Sequence, residues 1–301
     1  MTPTPLPSPH PQYADLVRQI LSHGTPRHDR TGVGTRALHG AMLRLDLSDG
    51  RFPLLTTKRV AWKVAAKETL WFLSGDRRLR TLLAQGVHIW SDWPHARYVR
   101  ETGDAMTLKD FESKILADDV FDAQWGDLGP LYGVQWRRWP DGKGGEIDQI
   151  SQTLARLKAD PHSRRLLWHA WNPAQLDEMA LPPCHLLYQL FADQGRLSLT
   201  LYQRSCDVGL GLPFNLAGAA LLCALFAQQA GLVPHELVWM GHDVHIYANH
   251  AEALEDQIAR PPRPTPRLRV SPAPDLFSYT IDHLAVEGYD PHPHVPLAVA
   301  V

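Results

Sequence analysis

A cysteine at position 184 stands in the stretch LPPCHLLYQL, directly after Pro182 and Pro183 and directly before His185. Proline fixes its own φ and restricts the residue ahead of it, so two in succession stiffen the chain just before the thiol. A thiolate is a nucleophile near neutral pH, where a serine alkoxide is far harder to generate. Arginines supply a second kind of chemistry. Arg30 lies in HDRTGVGT, Arg164 and Arg165 in DPHSRR, and Arg204 in LYQRSCD. Guanidinium groups grip phosphate through paired hydrogen bonds. A poised thiol among motif-borne arginines points to a phosphorylated substrate attacked by sulfur. A third group is Glu68, which shares a helical face with Val64, Trp71 and Phe72. Such a carboxyl either escapes to the helix flank or is buried with a raised pKa, suited to proton transfer.

These groups need elements to hold them. HLLYQLF (185–191) and RLSLTLYQ (196–203) read as two strands joined by the short turn ADQG. A tight hairpin centred near Asp193–Gln194 places residue 184 opposite about residue 203 and brings Cys184 near Arg204, whose charge favours a thiolate. Adjacent strand residues point to opposite faces, so in a regular strand His185 is poorly placed to deprotonate Cys184. The spacing predicts helices over 13–23, 61–74 and 151–160, closed by Gly24, Gly75 and Pro161. MLRLDLSDG (42–50) alternates like a half-buried strand, and LLWHAWN (166–172) is strand-like. HDRTGVGTRAL (28–38) and GLGLPFN (209–215) read as loops, the second leading to a buried helix over 216–230 with Asn215 as its N-cap. Residues 94–125 read as a small helical insertion in a single catalytic domain spanning 13–301. VWMGHDVHIYANH (238–250) reads as a strand and a helix start, and PPRPTPRLRV (261–270) as a linker into a last strand.

The bulk composition narrows the class. The 301 residues are 44% hydrophobic, enough for a sizeable core, and the formal charge of -2 provides no basic field for nucleic acid. Cys184, Cys206 and Cys223 form no CxxC pair, which argues against a disulfide framework or structural zinc and fits a reducing, cytoplasmic setting. His242, His245 and His250 lack the spacing of a metal site. The Pro-rich start MTPTPLPSPHPQ lacks a signal peptide's apolar core and reads as a flexible arm over 1–12. The apolar run LAGAALLCALFA (216–227) is too short to span a bilayer.

The ordered motifs HDRTGVGT, FPLLTTKR, ETLWFLSGD, IWSDW, GDLGPLYGVQWR, DPHSRR, LPPCH, LYQRSCDVGLGLPFN, HDVHIYANH and EGYDPHP resemble the folate-dependent thymidylate synthase family, from about residue 13 to Val301. The resemblance implies an α/β (α+β) fold of large mixed sheets with flanking helices, packed back to back in a homodimer. It implies reductive methylation of dUMP to dTMP, with 5,10-methylenetetrahydrofolate as one-carbon and hydride donor, no metal, and Cys184 adding at carbon 6 of uracil. Glu68 and Tyr132 would complete the catalytic set. The dUMP site would comprise Arg30, Arg164, Arg165, Gln203, Arg204, Ser205, Cys206, Asp207, Asn215, His245, Ile246 and Tyr247. Arg164 and Arg165 would reach it from the partner subunit. Folate would meet Ala61, Ile89, Trp90, Trp93, Asp207, Leu210, Gly211, Phe214 and Ala300. The sequence departs from the family pattern at Ala61 (commonly histidine), at His242 (commonly glycine), and at Trp168 and His169 (commonly smaller). A pyrimidine hydroxymethylase on the same fold is the nearest alternative, disfavoured because the Asn215 amide can both donate and accept, as uracil requires. A Cys–His hydrolase and an RNA-binding role fit the arginine set and the charge less well.

Overall fold

The computed structural model describes residues 8–28 and 32–299. Helix α1 covers Pro9–His23 and ends at Gly24. The part of the expected arm over 1–12 that is described is helix from Pro9 onward. Proline suits the first turn of a helix, where its missing N–H would have had no partner. Residues 1–7 lie outside the described residues. Strands β1 (Thr25–Arg27) and β2 (Thr35–Asp46) pair antiparallel, so the expected loop over 28–38 gives way to strand at Thr35. Helix α2 (Trp62–Ser74) is closed by Gly75, whose left-handed φ of 71° favours glycine.

The short helix α3 (Leu79–Leu83) precedes the expected insertion. The insertion itself is three helices: α4 (Asp92–Thr102), α5 (Leu108–Ala117) and α6 (Asp119–Trp125). The side chains of Thr107 and Asp118 cap α5 and α6 by accepting backbone N–H bonds. Phe111, Ile115, Phe121 and Trp125 bury these helices in the same core as the rest of the chain. Helix α7 (Tyr132–Arg137), a two-residue ribbon of β3 (Trp139–Pro140) and β4 (Glu146–Ile147), and α8 (Gln149–Ala159) follow.

The centre of the molecule is a six-stranded sheet. Its remaining strands are β5 (Leu167–His169), β6 (His185–Asp193), β7 (Arg196–Asp207) and β8 (Val233–Tyr247), in the order β1-β2-β8-β7-β6-β5. β5 keeps only three residues of the expected strand LLWHAWN. The β6–β7 hairpin turns at Gln194–Gly195, because Asp193 pairs with Arg196, one residue later than the spacing predicts. Gln194 and Gly195 both take the positive φ that a two-residue hairpin turn demands. Among the described strands β7 and β8 alone are parallel, and a parallel pair needs a crossover. Helix α9 (Gly211–Ala230) provides it, packed against β7, β8 and α2. It begins five residues before the expected start, because Leu212 and Pro213 are already core residues. Asn215 thus lies inside the helix and Leu210 holds the N-cap position. α9 has the length and apolarity of a membrane span, beyond the run 216–227, but two thirds of it is buried in this core. After α10 (Ala251–Ala259), β9 (Arg267–Val270) pairs with a further strand, β10 (Leu284–Glu287), so β9 is not the last strand.

α2 and α9 approach closely at Gly218, where an added Cβ would stand 2.8 Å from Thr69 Oγ1. Thr69 is buried and bonded to the Ala65 carbonyl, so it cannot yield. Gly218→Val should destabilise the fold by about 2 kcal/mol through overpacking. Urea unfolding tests this, and an unchanged midpoint would show that the two helices separate freely.

Candidate active site

Cys184 sits one residue ahead of β6, and its backbone is held from both sides. Its N–H donates to the Tyr132 hydroxyl at 2.8 Å, and its carbonyl accepts from Arg204 N–H at 2.9 Å. The Arg204 guanidinium donates to the carbonyls of Pro183 (2.8 Å) and Pro182 (2.9 Å) and lies over the Trp171 ring. Arg204 thus braces the two prolines that lead into the thiol. Cys184 is partly exposed, while Cys206 and Cys223 are buried with their thiols pushed up by desolvation.

The opposite wall comes from α2. Glu68 accepts from Trp90 Nε1 at 2.7 Å, and burial raises its carboxyl to about 7, partly offset by that bond. The expected apolar stripe therefore does enclose this carboxyl. Part of its surface faces a cavity of about 10 Å³ shared with Phe72, His185, Tyr188, Phe214 and Asn215. That is about the room for one water. Burial lowers His185 to about 4, so its ring is neutral at physiological pH. Burial also raises Tyr132 far above its ordinary range, so its hydroxyl stays protonated.

The amide of Asn215 has one orientation. Trp239 Nε1, which can only donate, gives its hydrogen to Gln203 Oε1 at 2.8 Å. Gln203 Nε2 must then donate, and it does so to Asn215 Oδ1 at 2.7 Å and the Ser205 carbonyl at 3.0 Å. Gln203 is buried behind Asn215. Asp207 Oδ1 accepts from the N–H groups of Gly209 (2.8 Å) and Leu210 (3.3 Å), setting the turn into α9. His245 Nδ1 lies 3.0 Å from Asp243 Oδ1, and its ring stands edge-on to Tyr247. The side chains of Cys206 and Ile246 point into the core, leaving only their backbone for a ligand.

Trp90 and Trp93 pack with ring centroids 5.3 Å apart, Ile89 is 39% exposed, and Leu210, Gly211 and Phe214 are half-buried. Ala61 is exposed just ahead of α2. The C-terminal segment comes back to this wall: His250 Nε2 bonds the Ala298 carbonyl at 2.8 Å and Leu297 packs against the core. Arg164 and Arg165 are exposed, and neither is in an ion pair among the described residues. Arg164 lines a concavity beside Phe191 on the outer sheet face, which does not include Cys184. His242 packs against His39 on that face, centroids 4.3 Å apart. Arg30 and Ala300 lie outside the described residues. No cluster of three or more His, Cys, Asp or Glu among the described residues is arranged to hold a metal.

A family model described as thymidylate synthase matches residues 11–301. The chain belongs to the thymidylate synthase family. The thymidylate synthase of Zymomonas mobilis subsp. mobilis is 56% identical over 292 residues, 96% of this chain and 99% of its own. Those of Rhodopseudomonas palustris BisA53 and Rhizobium rhizogenes K84 are 54% and 50% identical, each across 97% of this chain and 99% of their own.

Sequence reasoning missed several residues that the structure brings to this candidate site. Lys58 is buried, donates to the Gly209 carbonyl, and is lowered to about 8 by desolvation. Its basic neighbour in FPLLTTKR was the available signal. Trp171 and Tyr188 carried none, because their roles depend on contacts across the sheet. Glu68 leads to a pH prediction. The folded chain holds this proton more tightly than the unfolded chain, whose carboxyl titrates near 4.5. The resulting stability is present in full below about 4.5 and is lost as pH rises through about 7. Glu68→Gln, which stays neutral, should raise the urea midpoint at pH 8 and leave it nearly unchanged at pH 4. Equal effects at both would remove the carboxyl from a desolvated site.

Proposed function

We propose that this chain methylates dUMP to dTMP, with Cys184 as nucleophile and the wall around Trp90 and Phe214 as the folate site. The observation that carries the reading is the partly exposed Cys184, pinned through Tyr132 and Arg204 beside the enclosed Glu68. The Cys184 sulfur forms a bond to uracil C6. The C5–C6 double bond opens, its electron pair moves toward C5 and O4, and C5 becomes nucleophilic. Glu68, poised near neutrality, exchanges protons with the carbonyl end of the ring through a water. Tyr132 keeps its proton and supports removal of the C5 proton by orienting water. As the product forms, the sulfur–C6 bond breaks and the thiolate returns.

Asn215 reads the base. Its Oδ1 faces Gln203, which leaves its N–H groups for a uracil carbonyl, where cytosine would present a donor. This favours uracil and disfavours the hydroxymethylase acting on cytosine. Arg30, Arg204 and Ser205 are assigned to the phosphate, the backbone of Cys206 and Asp207 to the ring, and His245 and Tyr247 with the Ile246 backbone to the sugar. The exposed Ile89, the half-buried Trp93, Leu210 and Phe214, and the returning C-terminal segment suit a flat aromatic co-substrate. When bound, 5,10-methylenetetrahydrofolate supplies the one-carbon unit and the hydride. Cys184, Cys206 and Cys223 form no disulfide, which suits a cytoplasmic enzyme.

The functional unit is a homodimer in this reading. Met42, Leu167, Phe191 and Met240 are exposed on the outer sheet face, Phe191 to 68%. Beside them a concavity of about 490 Å³ holds Arg164. Apolar surface of this kind suits a second copy. Arg164 and Arg165 would then complete the partner's phosphate site.

Dihydrofolate formation from dUMP and methylenetetrahydrofolate, followed by absorbance, tests the activity. Cys184→Ser should lose at least about 1000-fold in kcat while still binding dUMP, and near-normal turnover would remove Cys184 as nucleophile. The shared site has its own test. Cys184→Ser and Arg165→Ala chains, each nearly inactive, should regain activity when unfolded and refolded together, because one site of the mixed dimer receives both intact residues. If heterodimers form and stay inactive, Arg165 serves its own subunit.

A further inference from the structure

Tyr188 is buried, and its hydroxyl lies 3.2 Å from Nδ1 of His185. In a regular strand, residues three apart point to opposite faces. The register of β6 shifts between His185 and Leu187, so Leu186 is an extra residue. A bulge of this kind turns His185 to the face that Tyr188 already occupies. The Tyr188 ring is fixed in turn. It stacks on Trp168 at 5.1 Å and 4°, and Trp168 stacks on Phe226 at 5.0 Å and 9°. Trp136 closes the edge at 5.3 Å and 83°. The hydroxyl therefore has little freedom to leave the imidazole.

We propose that Tyr188 is a positioning residue that donates its hydroxyl hydrogen to Nδ1 of His185, so that the proton of the neutral ring resides on Nε2. The Tyr188 hydroxyl has no other hydrogen-bond partner among the described residues, so Nδ1 is where its hydrogen can go. The groups that meet this pair are Glu68 of α2, Tyr132 of α7 and Asn215 of α9. Burial and the nearby Glu68 raise Tyr188, so it keeps its proton and can donate. Desolvation keeps the ring neutral, so one of its nitrogens must accept. With Nδ1 accepting, Nε2–H is the group left for Asn215 and a bound uracil. The reading of the cavity as the uracil site is the one proposed above. What is new is that one hydroxyl selects the tautomer presented there.

The test is Tyr188→Phe, which preserves the stack and should fold. Selective ¹⁵N-histidine NMR at pH 7.5, with His185 assigned by comparison with His185→Gln, reads the tautomer directly. The expected result is an Nε2–H ring in the unmodified protein and nitrogen shifts in the variant that move toward a mixture of tautomers. With dUMP and methylenetetrahydrofolate, kcat should fall about 3- to 10-fold while KM for dUMP stays within twofold. An Nδ1–H ring in the unmodified protein, or nitrogen shifts that do not move in the variant, would overturn the proposal whatever the kinetics. Shifts that move while kcat does not would overturn the catalytic half. The nitrogen shifts need no turnover, so a protein that formed no dihydrofolate would refute the enzymatic reading and leave the hydrogen bond to be decided separately.

Discussion

The site depends on the pair of backbone hydrogen bonds that holds Cys184 between Tyr132 and Arg204. Each fixes one end of the same residue, and they come from opposite sides of the fold. Tyr132 opens a helix that packs on α2, while Arg204 lies in the strand that pairs with β6. Any shift between the helices and the sheet would move the thiol. Arg204 adds its guanidinium to the prolines just ahead. The electrostatic role expected of Arg204 is therefore joined by a mechanical one. Backbone carbonyls engage two of its nitrogens, and its charge is kept at the mouth of the site.

Around that fixed point the polar groups are kept in defined protonation states by burial. Glu68 is brought near neutrality, His185 is kept uncharged, and the phenols of Tyr132 and Tyr188 are kept protonated. Desolvation is the first cause in all four. Donor and acceptor roles follow without any nearby opposite charge. The Trp239–Gln203–Asn215 chain works the same way, since a donor-only indole fixes two amides in sequence.

Much of this was legible in the sequence where the signal was local. Apolar periodicity and Gly75 located α2 and put Glu68 on one face with Val64, Trp71 and Phe72 without deciding whether it is buried, and alternation located the β6–β7 hairpin to within one residue. The one-residue error arose because Gln194 takes a positive φ that asparagine or glycine would have announced more clearly. Asn215 looked like a cap because its residue type favours that position. Tertiary burial of Leu212 and Pro213 outweighed that preference and started the helix earlier. The bulge at Leu186 had no signature at all. It is set by how β6 must meet both β7 and the residues before it, and it alone puts His185 and Tyr188 on one face.

The placing of β2 has a consequence for how the chain is made. Beyond the three residues that β1 covers, β8 is the one strand that pairs with β2 among the described residues, with Leu43 opposite Trp239 and Leu45 opposite Leu237. On a ribosome, all of the intervening chain must be synthesised before that edge can be closed. Until then β2 presents open N–H and C=O groups beside a row of leucines, the kind of surface on which nascent chains associate. The β6–β7 hairpin has no such wait, since its two strands are joined by a two-residue turn. Local pairing can thus run ahead at Cys184, while the sheet that supports it closes only after β8 emerges.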